Sequence, residues 1–540
     1  MKRSLFFHIF IFCLLGALPI YFMAEASPPD KNTSSEKALE FWDKAIRLDP
    51  ENAQSFNNRG LVYKNLGRYR RAIEDYTYSI RLDPNYEDAF YNRGVAYKQV
   101  GEYQKALEDY TQVLELDPYN ARTYRQRGVV FKKLEQYERA IQDYDKALNL
   151  KPDYALAYFN RGVAYKKLGQ YRKALADCNR AIDLNSDNPW FYNNRGVTLK
   201  NLKQYRAAIE DLDRAIQMDS KIDAFFINRG NAYAKIGNHD HAIQDYDNAI
   251  ALNPNRAQAY NNKGVVYKRL GEYEMAIENY GQAIRIDPSD ADIFFNRGLA
   301  YKNLGKYQPA IADFTHAIQI DPSNAVFFRN RGVTYKKIEQ YHQAIENYNE
   351  AIRLKPDYAL AYNNRGVAHK KLGHYEVALE NYKHAISLES DNAWFYNNRG
   401  VAYKNLDRPQ KAVEDFNHAI HLNPKIDEFY INRGNVYKNF GQYQLALQDF
   451  DQAIQLNHEN SRTYNSRGII LKNLGQISKA MADFNTAIKL DPAYASAFIN
   501  RGIGHISLGN YAQACEDFRK ACDLGDCTYL TWAKNNDDCP

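Results

Sequence analysis

The stretch ALAYFNRGVAYKKLGQYRKALADCNRAIDLNSDN, residues 155–188, decides the fold. Its Arg161-Gly162 pair returns at a fixed spacing: a basic residue followed by glycine stands at Gly60, Gly94, Gly128, Gly162, Gly196, Gly230, Gly264, Gly298, Gly332, Gly366, Gly400, Gly434, Gly468 and Gly502, each 34 residues from the last. Fourteen units therefore tile residues 53–528 without insertion or deletion. A period of this length means stacked supersecondary units, each too small to bury its own apolar face.

Numbering each unit 1 to 34 from Ala53, Glu87, Ala121 and onward, apolar or aromatic residues fall at positions 4, 11 and 14 and then at 17, 21, 24, 28 and 30. Those are helical spacings in two segments, with glycine common at position 15 between them and proline common at 32 after the second. Each unit is expected to be a helix hairpin. Glycine at position 8 and alanine at position 20, both present in every unit, let the two helices approach closely. The chain holds 44 tyrosines, and the pattern assigns most of them to packing: position 4 is aromatic in all fourteen units, position 17 is Tyr in eleven and position 24 is aromatic in twelve.

Composition narrows the function classes. Over 540 residues, 71 Lys and Arg stand against 65 Asp and Glu for a net charge of +6, which excludes a strongly basic nucleic-acid protein and an acidic disordered tail. At 45% hydrophobic with 28 Gly and 17 Pro, the chain has a folded protein's composition.

The quoted unit resembles the tetratricopeptide repeat family, and the resemblance covers about nine tenths of the chain. It implies an all-α fold, a right-handed α-solenoid superhelix of fourteen helix-turn-helix units with capping helices, in which the first helix of each unit lines a concave groove. It also implies that positions 2, 5, 6, 9, 12 and 13 face that groove, where members of the family bind extended segments of partner proteins.

Position 6 is Asn in twelve units, at Asn58, Asn92, Asn160, Asn194, Asn228, Asn262, Asn296, Asn330, Asn364, Asn398, Asn432 and Asn500, with Gln126 and Ser466 the exceptions. The row resembles the asparagine ladder of O-linked N-acetylglucosamine transferases, where such amides hold a peptide backbone. An amide offers donors and an acceptor to a peptide unit whatever its side chain. Two roles stay open, peptide binding or bridging of neighbouring helices.

Position 12 is Lys at Lys64, Lys98, Lys132, Lys166, Lys200, Lys268, Lys302, Lys336, Lys370, Lys404, Lys438 and Lys472. Over positions 2, 5, 9, 12 and 13 there are 22 basic residues, Arg125 and Arg329 among them, against three acidic ones, so this stripe carries +19 while the whole chain carries +6. Such a field draws an acidic ligand and concentrates it. Arg at position 7 in thirteen units faces Asp at position 23 in eleven, which is read as a structural pair between the two helices, as in Arg59 with Asp75.

A second period lies over the first. KPDYALAY begins at Lys151 and at Lys355, Trp190 returns as Trp394, and Arg125 returns as Arg329, always 204 residues or six units apart. Duplication explains this without function. Trp190 and Trp394 at position 2 are read either as ligand anchors or as packing against the preceding hairpin.

The ends are read as follows. Lys2 and Arg3, an apolar run over residues 5–23 and the small residues of Ala24-Glu25-Ala26 make residues 1–26 a signal peptide, with an uncleaved anchor as the alternative, and 27–34 a linker. Residues 35–52 form a capping half repeat, with Thr33 and Glu36 as its capping box. Trp532 falls at position 4 of an unfinished fifteenth unit within a C-terminal stump over 529–540 that covers the last hairpin.

Of six cysteines, Cys178 replaces a core aromatic as a buried thiol and four crowd the last 26 residues. Cys515 and Cys522 are seven apart on one helix, about 10 Å, too far to bridge. A terminal helix running back antiparallel brings Cys522 to Cys527 and Cys515 to Cys539, with a zinc site as the rival arrangement. No phosphate loop, nucleophile with a base or metal cluster is present in the sequence, so the expectation is a non-enzymatic scaffold without cofactor, periplasmic or secreted. It would bind extended, acidic peptide segments, or alternatively an anionic polysaccharide.

Overall fold

The computed structural model describes residues 31–535 and Cys539, and among them every regular element is an α-helix. The signal-peptide reading of residues 1–26 lies outside the described residues. No described helix is long and apolar enough to cross a membrane. The chain divides into two compact units, one reaching to Asn248 and the other beginning at Ala249. Within each, the same hairpin recurs: a first helix of 13 or 14 residues, such as Ala155–Lys167, and a second of 13 or 14, such as Tyr171–Leu184.

Short-range chemistry sets the hairpin. Where the first helix is preceded by Asn, as at Asn120 or Asn460, the amide oxygen accepts the backbone N–H three residues on and caps the start. The first helix is stopped by a residue in the left-handed region at position 15, glycine in most units, for example Gly67 at φ 73°. Glu135, Lys203, Glu339 and Asp407 hold the same turn at φ 53–63°, a conformation that a side chain disfavours.

The close approach expected of position 8 is occupied by a ring. A Cβ on Gly94 would stand 2.9 Å from the ring of Tyr110, and the same meeting of position 8 with position 24 recurs from Gly60 with Tyr76 to Gly502 with Phe518. Position 24 rings and position 20 alanines are fully buried, whereas position 17 tyrosines lie nearer the surface, Tyr511 being exposed. The hydroxyls of Tyr76, Tyr110, Tyr144, Tyr280, Tyr348 and Tyr382 are buried with no hydrogen-bond partner, so these rings are held by their apolar faces alone. Cys178, at the same position, is free and buried.

Arginine at position 7 ties the hairpins together. Arg161 grips Asp177 of its own unit with two parallel bonds, Nε to Oδ2 at 2.9 Å and Nη2 to Oδ1 at 2.7 Å, and its Nη1 donates to Asp145 of the preceding unit. Arg93 does the same with Asp109 and Thr77, Arg229 with Asp245 and Asp213, and Arg467 with Asp483 and Asp451. Second helices pack on the first helix of their own repeat and on that of the next, as Tyr171–Leu184 does on Ala155–Lys167 and Pro189–Asn201, and these two first helices touch each other in line.

The N-terminal end differs from expectation. The N-terminal helix begins at Lys31, because no proline or glycine interrupts 31–36, so Thr33 lies inside it and not at its cap, and four residues read as linker are helical. Its Asp43 accepts from Arg59 at 2.8 Å, as a second helix does elsewhere. At the C-terminal end, the helix Thr528–Asn535 covers Phe518 with Tyr529 and buries Ala533, and Trp532 is 47% exposed. Cys515 is bonded to Cys539 and Cys522 to Cys527, with Cα–Cα distances of 5.5 and 4.0 Å.

Two substitutions at one contact separate packing from polarity. Gly94→Ala is expected to destabilise its hairpin by about 1–3 kcal/mol through overpacking. Tyr110→Phe, which removes only an unpartnered hydroxyl, should change stability by less than about 0.5 kcal/mol or raise it. Lys203→Gly should stabilise by about 1 kcal/mol by relieving the left-handed turn. Urea unfolding, together with amide exchange of the affected hairpin, reads all three.

Candidate functional site

Within each compact unit the first helices present the Asn and Lys rows on the same side, and hydrogen bonds link them. The ammonium of position 12 donates to the position 6 amide of the next unit: Lys98 to Gln126 Oε1 at 2.7 Å, Lys132 to Asn160 Oδ1 and Lys268 to Asn296 Oδ1 at 2.9 Å, and Lys302 to Asn330 Oδ1 at 3.4 Å. Lys166 and Asn194 are paired in the same way. The amide N–H then donates backwards, to a position 5 asparagine of the preceding unit for Asn92, Asn228, Asn398, Asn432 and Asn500, at 2.8–3.1 Å. Asn160 and Asn330 return theirs to carbonyls of their own helices, and Asn194 to the Cys178 sulfur.

The amide row therefore bridges repeats. Each bridged amide spends one donor on the chain, and the lysine-bonded ones also an acceptor, so only the second N–H and the remaining lone pairs face outward. Asn58 and Asn364 occupy the same register and are half-buried. The partners that sequence reasoning passed over are the position 5 asparagines Asn57, Asn193, Asn363, Asn397 and Asn465. Their signal was present as the Asn-Asn dipeptides beginning at four of them.

All twelve position 12 lysines are half-buried, and burial is the leading cause that pushes each ammonium below its usual range. Lys98, Lys132, Lys166 and Lys370 come down to about 8. Neighbouring cations add to the effect: Lys132 feels Lys98 and Lys166, Lys336 feels Lys371, and Lys438 feels Lys404. Lys98, Lys132, Lys166, Lys268 and Lys302 donate to amides, which cannot neutralise them. The row is a strip of uncompensated positive charge, broken at Ala234.

Arg125 and Arg329 turn onto tyrosines. The Nε of Arg125 donates to the Tyr154 hydroxyl at 2.6 Å with its guanidinium over that ring, and Arg329 lies 5.8 Å from the centre of the Tyr358 ring. Trp190 and Trp394 are each 43% exposed. They pack against the following repeat, not the preceding one: Trp190 stands edge-to-face on Phe225 at 4.9 Å and Trp394 on Phe429 at 5.0 Å. The reason is that position 3 of the next first helix supplies a buried phenyl within reach.

Segments matching the family described as "TPR repeat" span residues 35–67, 130–169, 230–271, 266–305, 337–373 and 370–407. Those described as "Tetratricopeptide repeat" span 53–86, 87–120, 155–188, 291–324, 393–426 and 428–460, with further matches at 178–210 and 461–494. The chain belongs to the tetratricopeptide repeat family. Arrays of this family are protein-interaction scaffolds, in general without catalysis of their own, and bind protein or peptide partners. No curated protein matches the chain. Among solved structures, the APC/C hetero-tetramer Cut9–Hcn1 is similar at 16% identity over 88% of this chain and 94% of its own, with a TM-score of 0.44. Yeast Tom70 is similar at 16% identity over 83% and 95%, TM-score 0.38. YrrB, described as a TPR protein with an unusual peptide-binding site, shares 27% identity over 34% and 94%, TM-score 0.29.

The buried lysines give the tetratricopeptide array a definite pH response. A lysine that releases its proton near 8 when folded and near 10.5 when unfolded lets the unfolded chain bind more protons between those values, so stability rises with pH across that window. The buried position 24 tyrosines act oppositely above about pH 10, where unfolded tyrosines ionise and folded ones, pushed up by burial, do not. The urea midpoint should rise from pH 7.5 to about 9.5 and fall beyond about 10.5, and Lys132→Met with Lys166→Met should flatten the rise. A midpoint that falls steadily from pH 7.5 contradicts the assignment.

Proposed function

We propose that this chain is a non-enzymatic scaffold that takes extended, acidic peptide segments along the wall of its first helices. One observation carries the reading: half-buried lysines at position 12 of consecutive repeats, five in the first compact unit and seven in the second, several bonded to neutral amides and none offered a carboxylate by those bonds. A peptide lying along the row brings carboxylates to ammonium groups already partly stripped of water, where each attraction is stronger than at an open surface. The second N–H groups of bridging amides such as Asn228 and Asn432 are donors for its backbone carbonyls. Export from the cytoplasm is part of this proposal. It is supported by the signal-like residues 1–26 and by four cysteines arranged as two disulfides at the last hairpin.

The test is titration of the chain with short polyglutamate and, separately, with alginate as an anionic polysaccharide. Polyglutamate should bind, and affinity should fall at least tenfold between about 50 and 500 mM NaCl, where screening shortens the reach of charge from about 14 to 4 Å. Lys200→Glu with Lys404→Glu should weaken it tenfold or more while the helical circular dichroism is unchanged. Binding indifferent to salt and to both substitutions would retire the lysine wall as a site, and binding of alginate alone would transfer it to a sugar.

A further inference from the structure

Position 2 of the first helix carries charge, amide or small residues in most repeats, but twice it carries large apolar side chains in adjacent repeats. Leu156 and Trp190 form one such pair and Leu360 and Trp394 the other, 204 residues later. All four are exposed, Leu156 at 41%, Leu360 at 37% and each tryptophan at 43%. That position 2 looks onto the first-helix wall is shown by Arg122, which lies 4.2 Å over the ring of Tyr91 on the preceding first helix.

The two places agree in construction as well as in sequence. The backbone N–H of Trp190 is held by Asn188 Oδ1 at 3.0 Å, and that of Trp394 by Asn392 Oδ1 at 3.2 Å. Each indole stands edge-to-face on a fully buried phenyl, at 72° on Phe225 and 75° on Phe429. Beside each runs the same amide bridge, Asn228 to Asn193 and Asn432 to Asn397. An indole rigidly seated on a phenyl and left half in water is a contact surface whose ordering cost is already met. The first place lies wholly in the compact unit that ends at Asn248 and the second wholly in the other.

We infer that the chain has two equivalent docking sites for one kind of ligand, an acidic peptide segment with two large apolar side chains, seated on Leu156 and Trp190 in one site and on Leu360 and Trp394 in the other. The inference rests on the proposed function and adds to it stoichiometry and a sequence preference. Neighbouring helices pack about 8–10 Å apart and an extended chain advances about 3.3–3.6 Å per residue, so the two apolar side chains are three residues apart, with acidic residues between and around them facing the lysines. The sites differ at both flanks: the repeat before Leu156 has Arg122 at position 2, where the repeat before Leu360 has the exposed Val326. The repeat after Trp394 has Glu428 at position 2 where the repeat after Trp190 has Ala224, and the Glu428 charge reaches Lys370. An acidic ligand therefore binds more weakly at the Trp394 site.

Calorimetric titration of the full chain with acetyl-Glu-Glu-Leu-Glu-Glu-Phe-Glu-Glu-amide tests this, with an octaglutamate control. Two binding events are expected, each at least tenfold tighter than octaglutamate. Trp190→Ala should remove the tighter event and Trp394→Ala the weaker one, Trp190→Leu should keep most of the affinity because it retains an apolar surface, and Glu428→Gln should narrow the gap between the two events, with Arg122 still favouring the first. One event per chain, or two that ignore both tryptophan substitutions, overturns the inference while leaving the lysine wall in place. No binding of either peptide overturns the proposed function with it. Binding of alginate at both tryptophans in place of the peptide overturns the assignment of a peptide.

Discussion

One guanidinium at position 7 holds three helices at once, and the regularity of the array depends on it. Its fork closes on the aspartate of the second helix in its own unit, and its remaining N–H reaches the second helix of the unit before. A planar, always charged group with donors on both edges is suited to this, and lysine would serve one partner at a time. The three contacts fix the hairpin angle and the step to the next hairpin together. Where the aspartate is replaced by Asn347 or Asn381, Arg331 and Arg365 keep a single bond to the amide at 2.7 Å, and the hairpin is retained by the ring packed on glycine beneath.

The opposite wall is organised by an interaction that does not neutralise. Lysine-to-amide bonds orient the ammonium groups without cancelling their charge, so the array carries a standing electrostatic cost that the proposed acidic ligand would relieve. The arginines near position 24 and the lysines at position 12 thus divide the basic residues into two populations. Those paired with aspartate between the helices are structural, and those bonded to asparagine on the first-helix wall remain available.

Fold was legible in the sequence because a period of 34 is a covalent fact and each marker has a steric reason: a glycine that meets a ring, an alanine between helices, a left-handed turn. The Arg-to-Asp pair was legible for the same reason, since both partners recur at constant separation. The site was legible only in its membership. Asn92 and Lys98 could be placed on one face, but that an amide such as Gln126 or Asn160 is shared with the preceding lysine depends on the rotation between consecutive hairpins, which no single unit encodes. The start of the first helix at Lys31 was missed because it lies ahead of the repeated pattern, where no preceding unit marks a boundary.

The two covalent bonds between Cys515 and Cys539 and between Cys522 and Cys527 secure only the last hairpin. In a linear array whose parts are stabilised by immediate neighbours, an end without such a bond frays first. Among the described residues the hairpins near the helix Lys31–Leu48 have no such covalent tie and are held by their immediate neighbours alone, whereas the clasp fixes the segment after Asp523 to the helix Tyr511–Asp523.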